Sequence, residues 1–293
     1  MIYLVRNATR SIQLHLRGMS TGVSLNYTKY QGNDELSPLL ITHGLLGTSK
    51  NWSAIAKKIR KRTDRTVVIF DARNHGKSPW TLSLSYEGMV ADLRKLYDSL
   101  NLRKAILMGH SMGGRTLLGF ALVYPELVDK LISVDISQIP LERTKNIILD
   151  KYIYVEGLRN VKIPQNLSLF DTRSDIKKQL YPYVSEIGIR EWLSLNLYKD
   201  SQGVSRWNVN IEALGKDELR NIAEFPKQWI DLKSNVPVLF ICGEKSGFIQ
   251  KEDHEAIQTQ FFESTITYLP GTSHWLHAEK PNEFTETVLK FIS

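Results

Sequence analysis

Cysteine and long apolar runs are scarce in this 293-residue sequence. Its single cysteine, Cys242, excludes an intramolecular disulfide and any metal site built from paired cysteines. The apolar neighbours of Cys242 indicate a small residue buried in a strand. No apolar run approaches the roughly 20 residues that a membrane-spanning helix needs. With 42% apolar and 24% charged residues, the composition is that of a globular protein with one large core, or one core plus a modest insertion.

Acidic residues are missing from the first 33 positions, which carry three arginines and one lysine. The opening MIYLVRNATRSIQLHLRGMS combines arginine, serine, threonine and spaced apolar residues, which is typical of a mitochondrial transit peptide. No continuous apolar core follows the first arginine, and this argues against a secretory signal. We therefore expect residues 1–33 to be a transit segment with an N-terminal extension, and the protein to reside in the mitochondrial matrix. A plain basic extension or a first strand is the alternative.

Basic residues outnumber acidic ones by seven, and the sequence pI is near 9.3. The basic residues are dispersed, and their only dense run, KKIRKR at 57–62, has the pattern of a solvated helix end. We therefore expect no nucleic-acid binding. Part of the excess charge belongs to the N-terminal segment.

Short apolar segments alternate with helical patterns from residue 37 onward. Each apolar segment ends in glycine or polar residues, as strands buried on both faces do. Because strands and helices alternate, we predict an α/β fold with a mostly parallel central sheet and helices on both faces. The predicted strands are 38–44, 65–73, 104–111, 130–137, 236–243 and 264–271.

One interval, 140–232, breaks this alternation. It contains helical patterns such as IREWLSLNLY at 189–198 and no convincing buried strand. We predict a helical lid here, inserted between core segments 34–139 and 233–293. Such a lid would cover the carboxyl edge of the sheet, where open α/β folds bind ligands.

A candidate nucleophile stands between a predicted strand and a predicted helix, in GHSMGG at 109–114. This is G-x-S-x-G in a strand–turn–helix context, in which the glycines make room for a sharp turn. The turn lifts the serine hydroxyl above the sheet, at the positive end of the following helix. We therefore predict that Ser111 is a nucleophile.

An attacking serine needs hydrogen-bond donors for the oxyanion that its attack creates. We predict the N–H of Met112, directly after the serine, and the N–H of Leu45 in HGLLG at 43–47. His43 lies in the wrong strand to act as the base, and we expect it to shape this loop. Asp71 and Arg73, in DARNHGKS after another core strand, are interpreted as structural.

The base is expected after the last strand, in PGTSHWLH at 270–277. His274 stands three residues past the glycine that ends the strand, which is the usual loop position of such a base. His277 is the alternative and directly precedes the final helix. We predict His274.

HGLLG, DARNHGKS, GHSMGG and GTSHW together resemble the α/β-hydrolase superfamily over residues 37–293. The resemblance is closer to the esterase branch of the α/β-hydrolase domain protein eleven and its small bacterial acyl-ester hydrolase relatives. It implies an α/β-hydrolase fold and an acyl ester or thioester hydrolase, with lipid esters such as diacylglycerol among the substrates. It also implies mitochondrial residence and an association with lipoylated 2-oxoacid dehydrogenase complexes.

The acid that would orient the base is missing from its usual place. The segment LFICGEKSGF at 239–248 has Ser246 where an aspartate is expected. Asp135, at the tip of the strand beside that of the nucleophile, can reach the same histidine, and the resemblance agrees with this choice. The alternatives are Glu212 in the lid and Glu244, which is too early in its turn, whereas Asp253 is more simply a helix cap. We predict Asp135 as the acid and Ser246 as a polar wall of the substrate pocket.

These residues predict a serine esterase in which Ser111 attacks, His274 transfers the proton and Asp135 orients the histidine. This chemistry needs no cofactor and no metal. Acyl transfer to an alcohol by the same residues remains an alternative. A third alternative is a largely non-catalytic, protective partner of a 2-oxoacid dehydrogenase complex, although neither nucleophile nor base is lost. Haloalkane or epoxide chemistry would place aspartate at the elbow, and Ser111 argues against it.

Overall fold

A seven-stranded sheet forms the centre of the computed structural model, which describes residues 22–140 and 142–293. Six strands are parallel to one another, and β1 is antiparallel to its neighbour β3. The strand order across the sheet is β1-β3-β2-β4-β5-β8-β9. In chain order the strands are β1 (Tyr27–Tyr30), β2 (Leu39–Thr42), β3 (Val67–Phe70), β4 (Ala105–His110), β5 (Val128–Val134), β6 (Leu197–Lys199), β7 (Ser205–Trp207), β8 (Val238–Gly243) and β9 (Ser264–Leu269).

Helices cover both faces of the sheet, as the alternation of elements predicts. Successive strand residues point to opposite faces, so Leu39 and Ile41 pack on one side and Leu40 on the other. The helices are α1 (Ser53–Thr63), α2 (Tyr86–Ser99), α3 (Met112–Val123), α4 (Glu142–Asp150), α5 (Tyr152–Asn160), α6 (Leu169–Gln179), α7 (Ile187–Ser194), α8 (Lys216–Ala223), α9 (His254–Gln260), α10 (Leu276–Glu279) and α11 (Pro281–Ile292). Helices α1 and α11 pack on one face, and α2 and α3 on the other. Among the described residues, no helix is long and apolar enough to cross a membrane.

The interval 140–232 contains helices α4 to α8, as predicted, and one element that was not. Its strands β6 and β7 form an antiparallel hairpin, so the segment 189–198 is not one helix. Helix α7 ends at Ser194, and Leu197 begins β6. The pattern LSLNLY fits both a helix and an alternating strand over so few residues, and pairing with β7 decides between them.

The sheet includes residues from the N-terminal part of the chain. Strand β1 lies within the segment 1–33 that the sequence assigns to an extension, and it pairs with β3 from Tyr27↔Phe70 to Tyr30↔Val67. Residues 1–21, which carry most of the predicted transit segment, lie outside the described residues.

A buried ion pair anchors the loop that follows β3. Arg73 donates to Asp92 of α2 at 2.6 and 2.7 Å, and both side chains are 1% exposed. Asp71 accepts the backbone N–H groups of Ser49 and Lys77. Both residues have the structural roles that the sequence predicts. They fix the edge of the sheet above which the candidate site lies.

Candidate active site

Ser111 occupies a sharp turn between β4 and α3. Its backbone has φ 52° and ψ −119°, a region that residues with side chains rarely adopt. The N–H of Ser111 donates to Val134 O at 3.1 Å, which ties the turn to the neighbouring strand. This is the strained elbow that G-x-S-x-G predicts, and it directs the side chain toward the carboxyl edge of the sheet.

Two glycines of the elbow allow the close approach of backbone segments. A Cβ at Gly109 would lie 2.6 Å from the carbonyl carbon of Gly113, and one at Gly113 would lie 2.6 Å from His43 O. Side chains at either position would therefore push α3 away from the ends of β4 and β2. The tight turn depends on both glycines.

Asp135 and His274 meet directly although they are 139 positions apart in the chain. Asp135 follows β5, is fully buried and has φ 54°, and its Oδ2 lies 2.7 Å from His274 Nδ1. Residues His110 and Val134 are paired across β4 and β5, so the residues that follow them, Ser111 and Asp135, leave the sheet side by side. The carboxylate therefore comes from the strand tip next to that of the serine.

Ser246 lies against this carboxylate, and this differs from its predicted place in a pocket wall. Its hydroxyl donates to Asp135 Oδ1 at 2.8 Å, and the N–H of Gly243 donates to the same oxygen at 2.8 Å. The N–H of Phe248 in turn donates to Ser246 Oγ at 3.2 Å. Such donors stabilise the charge of a buried carboxylate, and a hydroxyl at position 246 adds one donor where a second carboxylate would repel the first.

The alternative acids lie away from His274. Glu212 is exposed on a 3₁₀ turn of the lid, and Glu244 is exposed and accepts the N–H of Gly271. Asp253 accepts the N–H of Gln250 and thereby caps a short helix, as predicted. Among the acidic residues considered, Asp135 is the one that contacts His274.

The loop after β2 leaves one backbone donor available beside the serine. Gly47 N–H donates to Gly44 O at 3.0 Å, and Leu46 at the turn has φ 59°. The N–H of Leu46 donates to His75 Nε2 at 3.1 Å, so it is already used. Within residues 22–140 and 142–293, the N–H of Leu45 has no hydrogen-bond partner.

The N–H of Met112 is the second predicted oxyanion donor. Met112 is the first residue of α3, where backbone N–H groups have no partner inside the helix. Met112 and Leu45 both line the cavity that contains Ser111. The structure thus brings the two predicted donors to the same cavity as the serine.

His43 and His75 are buried and hold the loop from within. The N–H of Ala72 donates to His43 Nε2, so the ring hydrogen of His43 is on Nδ1 and donates to Gly44 O at 2.8 Å. Burial lowers the pKa of His43, and burial together with His43 lowers the pKa of His75 to about 3. Both rings therefore stay neutral, and His43 shapes the loop as predicted.

His110 is a site residue that the sequence reasoning did not assign. Its Nε2–H donates to the backbone O of His274 at 2.9 Å, and the two rings are 4.5 Å apart. Burial lowers the pKa of His110 well below its usual value, and His274 and His277 add to this effect. The only available signal was its position directly before the serine in GHS.

His277, the alternative base, is buried against Trp52. The two rings stack with centroids 4.5 Å apart, and burial lowers the pKa of His277 to about 3. Such a ring cannot serve as a base at neutral pH, because it binds a proton too weakly. His274 is partly exposed and has a carboxylate partner in Asp135. Phe248 stacks on it with ring centroids 4.1 Å apart.

A cavity of about 180 Å³ joins these residues beneath the lid. Ser111 and His274 open onto it from the sheet side, and helices α4, α5, α7 and α8 close it from above. Within the described part of the chain, His274 Nε2 has no hydrogen-bond partner and is available to the serine or a substrate. The lid residues that line the cavity are Ile148, Lys151, Tyr154, Trp192 and Ile222.

Cys242 lies apart from this chemistry. It is fully buried in β8, as predicted, and burial raises the pKa of its thiol. It is therefore neither a nucleophile nor a metal ligand at neutral pH.

The sheet, the elbow serine and the lid define an α/β hydrolase. A family model for the alpha/beta hydrolase fold matches residues 37–281, and the chain belongs to this family. The sn-1-specific diacylglycerol lipase ABHD11 of Danio rerio is 36% identical over 270 residues, which cover 92% of this chain and 83% of that protein. The Mus musculus protein of the same name is 35% identical over 269 residues, with 92% and 85% covered.

A solved structure of a marine microorganism esterase matches the fold with a TM-score of 0.84. It is 32% identical and covers 92% of this chain and 100% of that one. The chain is thus a serine ester hydrolase of the ABHD11 type, as the sequence motifs predict.

Proposed function

We propose that the chain hydrolyses acyl esters through an acyl-enzyme on Ser111. One observation carries the proposal: His274 is held by the buried Asp135 carboxylate at 2.7 Å and opens with Ser111 onto one cavity. A serine hydroxyl is a weak nucleophile until an adjacent base takes its proton, and that base needs a third group to orient it. These three side chains supply the nucleophile, the base and the orienting group.

In the first half-reaction, Ser111 Oγ bonds to the ester carbonyl carbon while its proton passes to His274 Nε2. The carbonyl oxygen becomes an oxyanion, which accepts hydrogen bonds from the N–H groups of Leu45 and Met112. The intermediate then collapses, the bond to the alcohol oxygen breaks, and His274 returns the proton to the departing alkoxide. An acyl group remains on Ser111.

In the second half-reaction, His274 Nε2 removes a proton from water, whose oxygen attacks the acyl carbon. Collapse breaks the bond to Ser111 Oγ, which regains the proton, and a carboxylic acid leaves. The Asp135 carboxylate stabilises the imidazolium that forms twice in each turnover. Gly243 and Ser246 hold that carboxylate in place through their hydrogen bonds to Oδ1.

The substrates proposed are esters with an apolar acyl chain, including lipid esters such as diacylglycerol. Tyr154, Trp192 and Phe248 give the cavity its apolar lining. Its volume of about 180 Å³ is below the roughly 300–1,000 Å³ of sites for drug-sized ligands, so a short acyl group fits without movement of the lid. A diacylglycerol needs the lid to move outward.

An acyl-chain series tests the proposal. The 4-nitrophenyl esters of acetate, butyrate, octanoate and palmitate, with a diacylglycerol as the lipid arm, are incubated with the wild type and Ser111→Ala. We expect release of acid from the wild type and loss of release in the variant. Hydrolysis retained in Ser111→Ala, with unchanged thermal unfolding, would contradict the proposal.

The same residues would also transfer the acyl group to an alcohol in place of water, or accept a thioester. An alcohol added in increasing amounts distinguishes transfer from hydrolysis, because a new ester then replaces part of the acid. A thioester with the same acyl chain, compared with the oxygen ester, measures the preference for thioesters. A largely non-catalytic, protective role is disfavoured by the contact between Asp135 and His274.

Residence in the mitochondrial matrix and association with a 2-oxoacid dehydrogenase complex are proposed on the basis of the sequence resemblance and the acid-free opening segment. Fractionation of cells, followed by N-terminal sequencing of the isolated protein, tests the first. A protein that begins at Met1 and stays in the cytosolic fraction would overturn it. Co-sedimentation with the purified dehydrogenase complex tests the second, and free sedimentation would overturn it.

A further inference from the structure

Lys151 is unusual among the residues that line the cavity, because it carries a full positive charge. The other described lining residues are apolar, aromatic, neutral polar or imidazole side chains. Lys151 stands directly before α5 of the lid and is half-buried. Across residues 22–140 and 142–293, no carboxylate lies within 4.0 Å of its Nζ. The ammonium group therefore has no direct ion-pair partner, and the exposed carboxylate of Glu186 interacts with it only at longer range.

Tyr154 adds a hydrogen-bond donor beside the Lys151 ammonium group. Lys151 Nζ donates to the Tyr154 hydroxyl oxygen at 3.3 Å and lies 5.2 Å from the centroid of its ring. Because that oxygen accepts from the lysine, the hydroxyl hydrogen points elsewhere. Among the described residues it has no acceptor. Both side chains line the same cavity, and they end in an ammonium group and an O–H donor that lie together.

Two neutral polar side chains of the lining have hydrogen-bond partners. The Tyr86 hydroxyl donates to Ile222 O at 2.8 Å, and the Asn51 side chain accepts the N–H of Thr48 at 2.7 Å. The Lys151–Tyr154 pair thus differs from its surroundings in charge. An oxygen anion is the ligand that such a pair binds best, because hydrogen bonds between charged partners are about twice as strong as neutral ones.

We propose that Lys151, assisted by Tyr154, selects ester substrates that carry an anionic group, a carboxylate or a phosphate, on the part that lies against the lid. The proposal rests on the proposed function, since it specifies the substrate class of that same cavity. The acyl ester would react at Ser111 while the anion binds at the lid. Neutral esters would bind without this contact.

The first test compares an anionic and a neutral ester of the same size. The probes are the mono-4-nitrophenyl ester of glutaric acid and its methylated counterpart, and the readout is the ratio of their kcat/KM values. We expect Lys151→Gln to lower this ratio about tenfold, the effect of losing about 1.4 kcal/mol of binding. Tyr154→Phe should lower it less, and Lys151→Arg should retain most of it.

Lys145 offers a matched control on the same lid. It is paired with Glu224 at 3.0 Å and does not line the cavity, so Lys145→Gln removes the same charge from a different place. Its ratio should equal that of the wild type. An equal drop in both variants would reduce the effect to net charge and overturn the proposal, as would an unchanged ratio in Lys151→Gln.

A second pair of probes distinguishes a carboxylate from a phosphate. A monoacylglycerol and the corresponding acylglycerol phosphate carry the same acyl chain, and a Lys151-dependent preference for the second would identify phosphate as the source. If the wild type and Lys151→Gln hydrolyse all four probes with the same ratios, this inference fails and the proposed function stands. If the wild type hydrolyses none of them, both fail.

Discussion

Replacing Asp135 by asparagine is the change whose outcome the geometry determines most closely. Asp135 Oδ1 accepts the N–H of Gly243 and the Ser246 hydroxyl, whereas Oδ2 faces His274 Nδ1 at 2.7 Å. The Gly243 N–H is a fixed donor, so the amide oxygen of the new side chain must take the Oδ1 position. The amide N–H₂ group then points at His274 Nδ1.

The consequence is the wrong tautomer of His274. An amide N–H that donates to Nδ1 forces the ring hydrogen onto Nε2, which can no longer accept the proton of Ser111. The corresponding change in the serine-protease triad lowers kcat about 10⁴-fold for this reason, or about 5.5 kcal/mol. We expect a loss of the same order in kcat for 4-nitrophenyl butyrate, with little change in thermal unfolding.

Ser246→Ala and a relocated carboxylate are the controls. Ser246→Ala keeps the charge and the Gly243 donor, so we expect less than about a tenfold loss. In Asp135→Asn combined with Ser246→Asp, a carboxylate returns to the site from the neighbouring strand tip, which should restore part of the rate. Near wild-type turnover in Asp135→Asn, together with loss of turnover in Glu212→Gln, would refute this reasoning and identify Glu212 of the lid as the acid.

Two further predictions concern stability. His75 and His277 have a pKa of about 3 in the folded protein and an ordinary pKa of 6.5 once unfolded, so their contribution is complete above pH 6.5 and decreases as pH falls toward 3. At 1.36 kcal/mol per pH unit, each histidine should lower the free energy of unfolding by about 2 kcal/mol at pH 5. An equal free energy of unfolding in urea at pH 5 and pH 7 would contradict this. Asp92→Asn leaves Arg73 buried without its charge partner and should cost about 3–5 kcal/mol in the same assay. Arg94→Gln, which breaks the exposed pair with Asp98, should cost about 0–1 kcal/mol, and equal losses in the two variants would contradict the role of burial.

The central strands were predictable because each is a short, apolar run buried on both faces. A first strand within residues 1–33 was only an alternative, since the sequence YTKY of β1 is polar and largely exposed, as an edge strand can be. The lid hairpin was missed for a different reason. Its strands have three residues each, too few for periodicity to separate from the end of α7.

The candidate site was predictable where a local pattern marks the residue. Ser111 follows from the elbow motif, and His274 from its distance to the end of the last strand. The choice of Asp135 required knowledge of which strands are neighbours in the sheet. The order of elements along the chain gives that information only once the fold is known. The role of Ser246 depends on a hydrogen bond across two strand tips, and no local pattern contains that information.

The central claim is that Ser111 is the nucleophile, and covalent labelling tests it most directly. The wild-type chain is treated with a fluorophosphonate, which reacts with activated serines, and the adduct is mapped by peptide mass spectrometry. The account predicts one adduct on the peptide that contains Ser111, no labelling of Ser111→Ala, and slowed labelling of Asp135→Asn. Undiminished labelling of a folded Ser111→Ala variant would contradict it.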